Sequence, residues 1–331
     1  MTSSPFSARG IALAGALVVA LQLASPVAAL ATTASTLTLT AKPSKATVGD
    51  KIHLSGKLMC DDPAASGGQT ITLTRDPAGS DPLPDVVTVS DGSFSATDTA
   101  DVAGVVTYQA SFAGTPECDP ANATDTVSVA KLPSHVSLTV SAHAVTFGTA
   151  VHLTGHLGRG TDSSVLGIYA KPEGGNEKLI REAKVGRHRD LHASYTPSKD
   201  TTFIARYAGD LTHHAAHDDA ATRVRVIVRA QLTKAVARAG RYHIYRRGTH
   251  APCLVEVVPN HKGFAVRATL QMFAHGAWRR SAARSFRLNA ASAVGFAVRG
   301  SANVDFRVHV SLPTHHDHLG DTSPWLYLRF R

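Results

Sequence analysis

Recognised catalytic motifs are missing from this sequence. It contains no H-E-x-x-H pair, no G-x-S-x-G turn and no Walker-type glycine loop, so it lacks the signatures of zinc proteases, serine hydrolases and P-loop nucleotidases. Acidic residues concentrate in turn-like segments such as Asp61-Asp62, where they more often form turns than acid–base pairs. We therefore expect a protein that is not an enzyme and needs no cofactor.

Long apolar runs are also scarce. The longest, Ile11–Leu23, holds thirteen residues, whereas a membrane-spanning helix needs roughly 20. Arg9 precedes this run, the small-x-small sequence Ala29-Leu30-Ala31 follows it, and no cysteine lies near that site. This pattern is typical of a signal peptide cleaved after Ala31, not of a membrane anchor or a lipoprotein leader. We expect residues 1–31 to be removed and the remaining chain to be secreted without a transmembrane anchor.

Sustained helical periodicity is absent from the remaining 300 residues, whereas valine and threonine are abundant and glycine and proline recur at short intervals. Leu37 and Leu39 alternate with threonines, and Val136, Leu138 and Val140 alternate with polar residues. Alternation with a period of two places one face of a strand on a core and the other in water. Short strands separated by frequent turns predict an all-β fold.

The chain repeats itself. Residues 35–58 align without a gap on residues 134–157, at an offset of 99, and residues 107–114 match residues 202–209. A spacing near 100 residues corresponds to one β-sandwich, since solenoid repeats are shorter. With a looser third unit, the pattern predicts three β-sandwich modules: module one (32–131), module two (132–228) and module three (229–331).

Charge distinguishes the three modules. Module one has 6 basic residues against 12 acidic ones, module two 11 against 9, and module three 16 against 4. Seventeen of the 18 histidines lie beyond module one's His53. Such different surfaces on segments of similar length indicate separate modules.

The first two modules resemble the immunoglobulin-like repeat domains of secreted actinobacterial proteins. The resemblance rests first on the pattern T-L-T-x…T-x-G-x-x-x-x-L-x-G-x-L early in each module. It rests also on the later segments Tyr108–Gly114 and Phe203–Gly209, the second of which continues into Asp210 to give A-G-D. Module three resembles the C-terminal domain that often follows such repeats, with Gly276-Ala277-Trp278-Arg279 in a middle strand and Ser323-Pro324-Trp325 at the end. The resemblance implies a tandem immunoglobulin-like fold and secretion, and it implies no reaction.

Two of the three cysteines lie where such a sandwich brings strand ends together. Cys60 follows the second strand of module one and Cys118 follows the penultimate strand. We expect a Cys60–Cys118 disulfide that joins the two sheets, since exported proteins retain disulfides. Cys253 has no neighbouring partner and is either buried or paired between chains.

Histidines cluster in the corresponding loops of modules two and three. Imidazoles at short spacing bind Zn²⁺, Ni²⁺ or Cu²⁺, whereas the alternative is a solvated polar loop. The candidate metal ligands are His213, His214, His217, His315, His316 and His318.

Arginines of module three alternate with apolar residues, which predicts that they lie on the solvent faces of strands. Such a positive surface attracts anionic polymers, or it only keeps the protein soluble. The candidate binding residues are Arg246, Arg247, Arg279, Arg280, Arg284 and Arg287. Aromatic stacking platforms are not evident, so specific nucleic-acid binding is not expected.

The sequence therefore predicts a secreted, non-catalytic protein that acts as an extracellular structural, spacer or adhesion module, in solution or associated with the cell wall. The alternative is a protein that binds an anionic cell-wall polymer or polysaccharide through module three. The expected partners are such a polysaccharide or another surface protein.

Overall fold

A computed structural model describes residues 34–79, 81–159 and 164–331. The predicted signal peptide, residues 1–31, lies outside these ranges. In the described residues the chain forms 26 β-strands and one 3-10 turn, Pro63–Ser66. No helix in this part of the chain is long and apolar enough to cross a membrane. The predicted all-β fold is confirmed.

The strands divide into six sheets that pack as three sandwiches, each around its own hydrophobic core. Alternating side chains explain why these segments are strands. In β1, for example, Leu37, Leu39 and Ala41 are buried while the threonines between them face solvent.

Module one packs sheet β1-β3-β6 against sheet β2-β8-β7-β4-β5. Its strands are β1 (Ser35–Lys42), β2 (Lys45–Thr47), β3 (Lys51–Cys60), β4 (Thr70–Asp76), β5 (Val86–Val87), β6 (Ser93–Thr99), β7 (Gly104–Phe112) and β8 (Ala121–Ala130).

Module two repeats this arrangement, with sheet β14-β11-β9 against sheet β10-β16-β15-β12-β13. Its strands are β9 (Val136–Val140), β10 (Ala144–Thr146), β11 (Val151–Leu157), β12 (Val165–Pro172), β13 (Lys178–Lys184), β14 (Asp190–Tyr195), β15 (Thr201–Tyr207) and β16 (Ala216–Arg225).

Module three packs sheet β17-β20-β23 against the larger sheet β18-β19-β26-β24-β21-β22, in which β25 also pairs with β24. Its strands are β17 (Ile227–Leu232), β18 (Ala237–Ala239), β19 (Tyr242–Tyr245), β20 (Ala251–Val258), β21 (Ala265–Ala274), β22 (Ala277–Arg287), β23 (Ala293–Val298), β24 (Asp305–Leu312), β25 (Asp321–Thr322) and β26 (Leu326–Phe330).

All three modules share the immunoglobulin-like connectivity. The first strand joins one sheet, and the chain then crosses so that the next segment pairs in parallel with the last strand of the other sheet: β2 with β8, β10 with β16, and β19 with β26. The order of the remaining strands is that of the two immunoglobulin sheets. The divergent module three therefore has the same fold as the two sequence repeats.

An aspartate near the last strand holds the first strand at this crossing. The carboxylate of Asp125 accepts a hydrogen bond from the backbone N–H of Ala41 at 2.7 Å, and that of Asp218 accepts one from Leu138 at 2.7 Å. In module three, Asp321 accepts one from Val228 at 2.9 Å. This repeated bond links the two sheets of every module.

Two expectations need adjustment in module three. Gly276 lies in the turn between β21 and β22 with a φ of 76°, so the Gly276–Arg279 segment does not lie within a middle strand. It forms the turn and the start of β22, at the edge of the sheet. The core of module three also includes Val226 and Val228; Val228 lies in β17, which begins two residues before the predicted start of the module, and Val226 directly precedes β17.

The predicted disulfide is present. Cys60 at the end of β3 is bonded to Cys118, with a Cα–Cα distance of 5.5 Å. Cys253 is a free thiol buried in the core of module three, and this burial raises its pKa to about 12. Of the two alternatives for Cys253, the structure shows burial.

Replacing both Cys60 and Cys118 by serine should destabilise module one by about 4 kcal/mol in the chain-entropy description of a loop of this length. Guanidinium-dependent hydrogen exchange of the Leu54 and Val127 amides, both in the core of module one, measures this change. Amides of Leu153 and Phe203 in module two serve as the internal control. An unchanged module-one stability would contradict the prediction.

Candidate metal centre at the junction of modules two and three

Most of the candidate histidines lie in one type of connection, the loop between the last two core strands of a module. We call these the apical loops: residues 113–120, 208–215 and 313–320. Each contains a tight turn closed by the same backbone hydrogen bond, from Thr115 to Cys118 (2.8 Å), from Asp210 to His213 (3.1 Å) and from His315 to His318 (3.1 Å). Cys118, His213 and His318 therefore occupy equivalent positions.

The apical loop of module two binds the linker from module one. The backbone N–H of Leu132 donates to the carbonyl of Thr212 at 2.8 Å, and the N–H of His214 donates to the carbonyl of Leu132 at 2.9 Å. Lys131 Nζ also donates to the carbonyl of Asp210. The histidine-rich loop thus forms an inter-module contact.

Asp210 organises this loop from within. Its carboxylate accepts hydrogen bonds from the Tyr207 hydroxyl at 2.7 Å and from the N–H groups of Thr212 and His213 at 2.8 and 2.7 Å. Burial opposes ionisation of Asp210, but these donors outweigh it and hold its pKa well below the usual range. His213 Nδ1 lies 3.2 Å from the same carboxylate.

The other two histidines proposed for module two do not join His213. His214 and His217 are exposed to solvent, whereas the His213 side chain is largely buried against Asp210. The structure therefore brings together no three-histidine group among these residues.

The apical loop of module three binds the linker from module two in the same way. The backbone N–H of Val226 donates to the carbonyl of Leu319 at 3.0 Å, and the N–H of Leu319 donates to the carbonyl of Val224 at 2.8 Å. A second segment of module two, residues 198–200, also reaches this loop, where the Asp200 N–H donates to the carbonyl of Asp317 at 2.9 Å.

Four potential metal ligands meet beneath this junction. One ligand atom from each of His261, His315, Asp317 and His318 lies within 4.8 Å of the other three. The His315 and His318 Nδ1 atoms lie 2.7 and 3.1 Å from Asp317 Oδ1. His261 and His318 are 4% and 2% exposed. We call this group the His–Asp cluster; among the described residues it is the one such group of three or more ligands.

The cluster contains polar atoms that have no hydrogen-bond partner. Both ring nitrogens of His315, Nδ1 of His318 and Oδ1 of Asp317 are buried and make no hydrogen bond of acceptable geometry within the described chain. Buried polar groups are normally satisfied, and leaving one unpaired costs about 1–3 kcal/mol. Their concentration in one place makes the cluster a candidate binding site.

The remaining polar atoms of the cluster are held by its surroundings. His261 Nδ1 donates to the carbonyl of Pro259 at 2.6 Å, and His318 Nε2 donates to the carbonyl of Ser198 at 2.8 Å. Asp317 Oδ2 lies 3.3 Å from Lys199 Nζ. These bonds orient Nε2 of His261, Nδ1 of His318 and Oδ1 of Asp317 toward the centre of the cluster.

Electrostatics keep the cluster in a form that binds metal ions. Burial lowers the pKa of His261 and His315, which favours neutral imidazoles at neutral pH. Burial opposes ionisation of Asp317, but His318 and Lys199 outweigh it and hold its pKa well below the usual range. Neutral imidazole and ionised carboxylate are the forms that coordinate metals.

The sequence pattern identified only part of this cluster. His315 and His318 belong to it, and His316 is exposed outside it. His261 was missed because it lies in the connection between β20 and β21, distant in sequence from the apical loop. One signal was available: this connection corresponds to the one that follows β3, whose last residue is Cys60, the partner of Cys118.

The six candidate arginines do not form a single patch. Arg279, Arg280, Arg284 and Arg287 lie exposed on β22, at the edge of the larger sheet, whereas Arg246 and Arg247 lie in the turn after β19. Arg284 lines a groove of about 710 Å³ between the open edges of the two sheets. The groove also contains His250, Arg299 and the stacked rings of Phe286 and Phe296, whose centroids are 4.6 Å apart.

The outer face of the same sheet carries an aromatic surface that the sequence did not reveal. The Arg307 guanidinium lies between Trp278 and Trp325, 4.6 and 4.2 Å from their ring centroids. His309 stacks on Trp325 at 3.8 Å. These residues lie on β24, on β22 and immediately before β26, so only the sheet register aligns them.

No protein-family model matches the chain, and no curated protein matches it. It is similar to a solved tetra-tandem repeat from the extending region of a large adhesion protein, with 17% identity and a TM-score of 0.48 over 89% of this chain and 74% of that one. It is also similar to the ICAM-5 D1–D4 ectodomain fragment, with 10% identity and a TM-score of 0.32 over 89% and 77%. The D0-D1 domain of intimin matches with 12% identity and a TM-score of 0.24 over 56% and 96%.

Replacing Asp210 by asparagine should destabilise module two by about 1.5–3 kcal/mol at pH 7, because a buried tyrosine hydroxyl and two N–H groups lose a charged acceptor. The folded-state pKa of Asp210 is lowered, so its contribution is fully present above the unfolded value near 3.9 and declines as the pH falls further. Urea unfolding at pH 7 and pH 3 measures both effects. Asp219→Asn, at an exposed position of the neighbouring strand, is the control, and a loss independent of pH would contradict the charge argument.

Proposed function

We propose that this chain is a non-catalytic extracellular spacer that holds its modules in a defined series and presents its surface for adhesion. The observation that carries the proposal is the common construction of the two junctions. In each, the segment where two modules meet pairs in parallel with the apical loop of the following module, Leu132 beside His213 and Arg225, the last residue of β16, beside Leu319. A chain of loosely tethered domains does not need this repeated contact.

The second junction is the more extensive. Arg225 donates to the carbonyl of Gly320 at 2.9 Å, and the Asp200 N–H donates to the carbonyl of Asp317 at 2.9 Å. Lys199 pairs with Asp317 across the junction. Relative motion is the default for neighbouring domains unless their contact is substantial, so these bonds favour fixed spacing over free hinging.

Two features support an extracellular location. The Cys60–Cys118 disulfide requires an oxidising compartment to persist in an ordinary protein. The proposed signal peptide, residues 1–31, would deliver the chain to such a compartment.

Replacing Leu132 by proline should loosen the first junction, because proline has no N–H to donate to the Thr212 carbonyl. Leu132→Ala retains that N–H and is the matched control. Small-angle X-ray scattering of the full chain should give the same narrow distance distribution for the wild type and L132A, and a broader one for L132P with unchanged unfolding of the modules. Identical broad distributions for all three would show that the junction does not fix spacing and would refute the spacer proposal.

The groove of module three supports a second candidate function, binding of an acidic polysaccharide. Arg284 and Arg299 at its edge have no carboxylate within salt-bridge distance in the described chain, and Phe286 and Phe296 between them are half-buried. Arginine pairs with sugar carboxylates, and exposed aromatic faces pack on the apolar faces of sugar rings. The strongly basic module would also attract a polyanion at low salt.

Charge reversal distinguishes this groove from a general effect of charge. The double variant Arg284→Glu with Arg299→Glu should weaken binding of polygalacturonate by about 10-fold or more at low salt, since two favourable charges become repulsive. Arg246→Glu with Arg247→Glu makes the same change in net charge away from the groove. Equal losses in the two variants, measured by calorimetry, would rule out a groove-specific site and leave only nonspecific attraction.

A further inference from the structure

We propose that the His–Asp cluster is a zinc site, in which His261, His315, Asp317 and His318 bind one Zn²⁺ and fasten the apical loop of module three to the connection between β20 and β21. The inference goes beyond the spacer function and does not depend on it. It rests on the donor set, on the atoms that lack partners, on the hydrogen bonds around the ligands and on the place of the cluster in the fold.

The donor set matches zinc. Three imidazole nitrogens and one carboxylate oxygen suit Zn²⁺ and its transition-metal neighbours, whereas Ca²⁺ and Mg²⁺ require oxygen ligands. Donors around a tetrahedral zinc ion lie about 3.3 Å apart, as Zn–N and Zn–O bonds near 2 Å require. The ligand atoms here already lie within 4.8 Å of one another. Closing the site requires side-chain rotations that bring these atoms to that separation.

A bound ion accounts for three of the four cluster atoms that lack partners. Asp317 Oδ1 and the Nδ1 atoms of His315 and His318 converge without hydrogen-bond geometry. The side chains of His315 and Asp317 are only 12% and 13% exposed. A divalent cation among them would satisfy all three atoms at once.

The hydrogen bonds around the ligands are those of a metal site. Ligand histidines usually donate their second ring N–H to a carbonyl or carboxylate, and this fixes the tautomer. His261 does so to Pro259 and His318 to Ser198. His261 therefore offers Nε2 and His318 offers Nδ1, both toward the cluster.

The cluster occupies the place that the disulfide occupies in module one. There, Cys118 of the apical loop is bonded to Cys60 at the start of the connection between β3 and β4. His318 is the equivalent of Cys118, and His261 lies in the equivalent connection after β20. In module three, the His–Asp cluster thus joins the two segments whose equivalents are joined by the disulfide in module one.

The site also reaches into module two. Ser198 holds His318, Lys199 pairs with Asp317, and the Asp200 N–H donates to the Asp317 carbonyl. Because these contacts fix residues that would coordinate the ion, zinc should order the junction as well as the loop. Hydrogen exchange of residues 198–200 reports on this effect.

Calorimetric titration of the untagged, chelator-treated full chain with ZnCl₂ tests the site directly. We expect one Zn²⁺ per chain with a dissociation constant below about 10 µM. His261→Ala and His318→Ala should each weaken binding by at least about 100-fold, since even residues that only support metal ligands contribute about 10- to 100-fold. His316→Ala and His214→Ala remove exposed histidines of the apical loops and should bind zinc like the wild type.

A second measurement keeps the test valid if the ligand variants fail to fold. The wild-type chain loaded with Co²⁺ should show the intense visible absorption of a tetrahedral site, and Zn²⁺ should slow hydrogen exchange at residues 198–200. Wild-type binding weaker than about 10 µM, an octahedral Co²⁺ spectrum, or full binding by folded H261A or H318A would overturn the proposal.

Discussion

The apical loop imposes the constraint on which much of this molecule depends. The two ladders of a sandwich satisfy the backbone of its strands, but the loop between its last two core strands turns over the pole of the sandwich, where neither sheet continues. Its buried side chain and its backbone groups therefore need partners from elsewhere. The partner differs from module to module. Cys118 forms a disulfide, His213 lies against Asp210, and His318 belongs to the His–Asp cluster.

The linker is the other partner in modules two and three. Because Leu132 and Leu319 take part in backbone pairing between neighbouring modules, one set of hydrogen bonds both completes a loop and joins two modules. The apical loops are short, but in modules two and three their backbone groups therefore contribute both to the order of the loop and to the contact between modules.

The fold could be predicted because it depends on local patterns. The alternation of Leu37 and Leu39 with polar residues indicates a strand with one buried face. The 99-residue offset between the repeats indicates the length of one sandwich. The disulfide was predicted for the same reason, since strand ends at one pole meet whatever their detailed register.

The members of the His–Asp cluster could be predicted only in part. His315 and His318 stand together in the sequence, but His261 joins them through a contact between distant connections, which no local pattern encodes. His316 is adjacent to His315 and belongs to the same group of histidines in the sequence, yet it is exposed to solvent. The Trp278–Arg307–Trp325 stack was missed for a related reason, because its members meet only once the register of β21, β22, β24 and β26 is fixed.

The crossing of the first strand determines how each module responds to mechanical load. The segments β2 and β8, β10 and β16, and β19 and β26 run side by side in parallel, close to the two ends of each module. A force that stretches the chain pulls the two members of each pair in opposite directions along their own axes. All the hydrogen bonds between them then bear the load together in shear, whereas in a peeled hairpin they would break one after another. The geometry that closes each sandwich is therefore also one that resists extension.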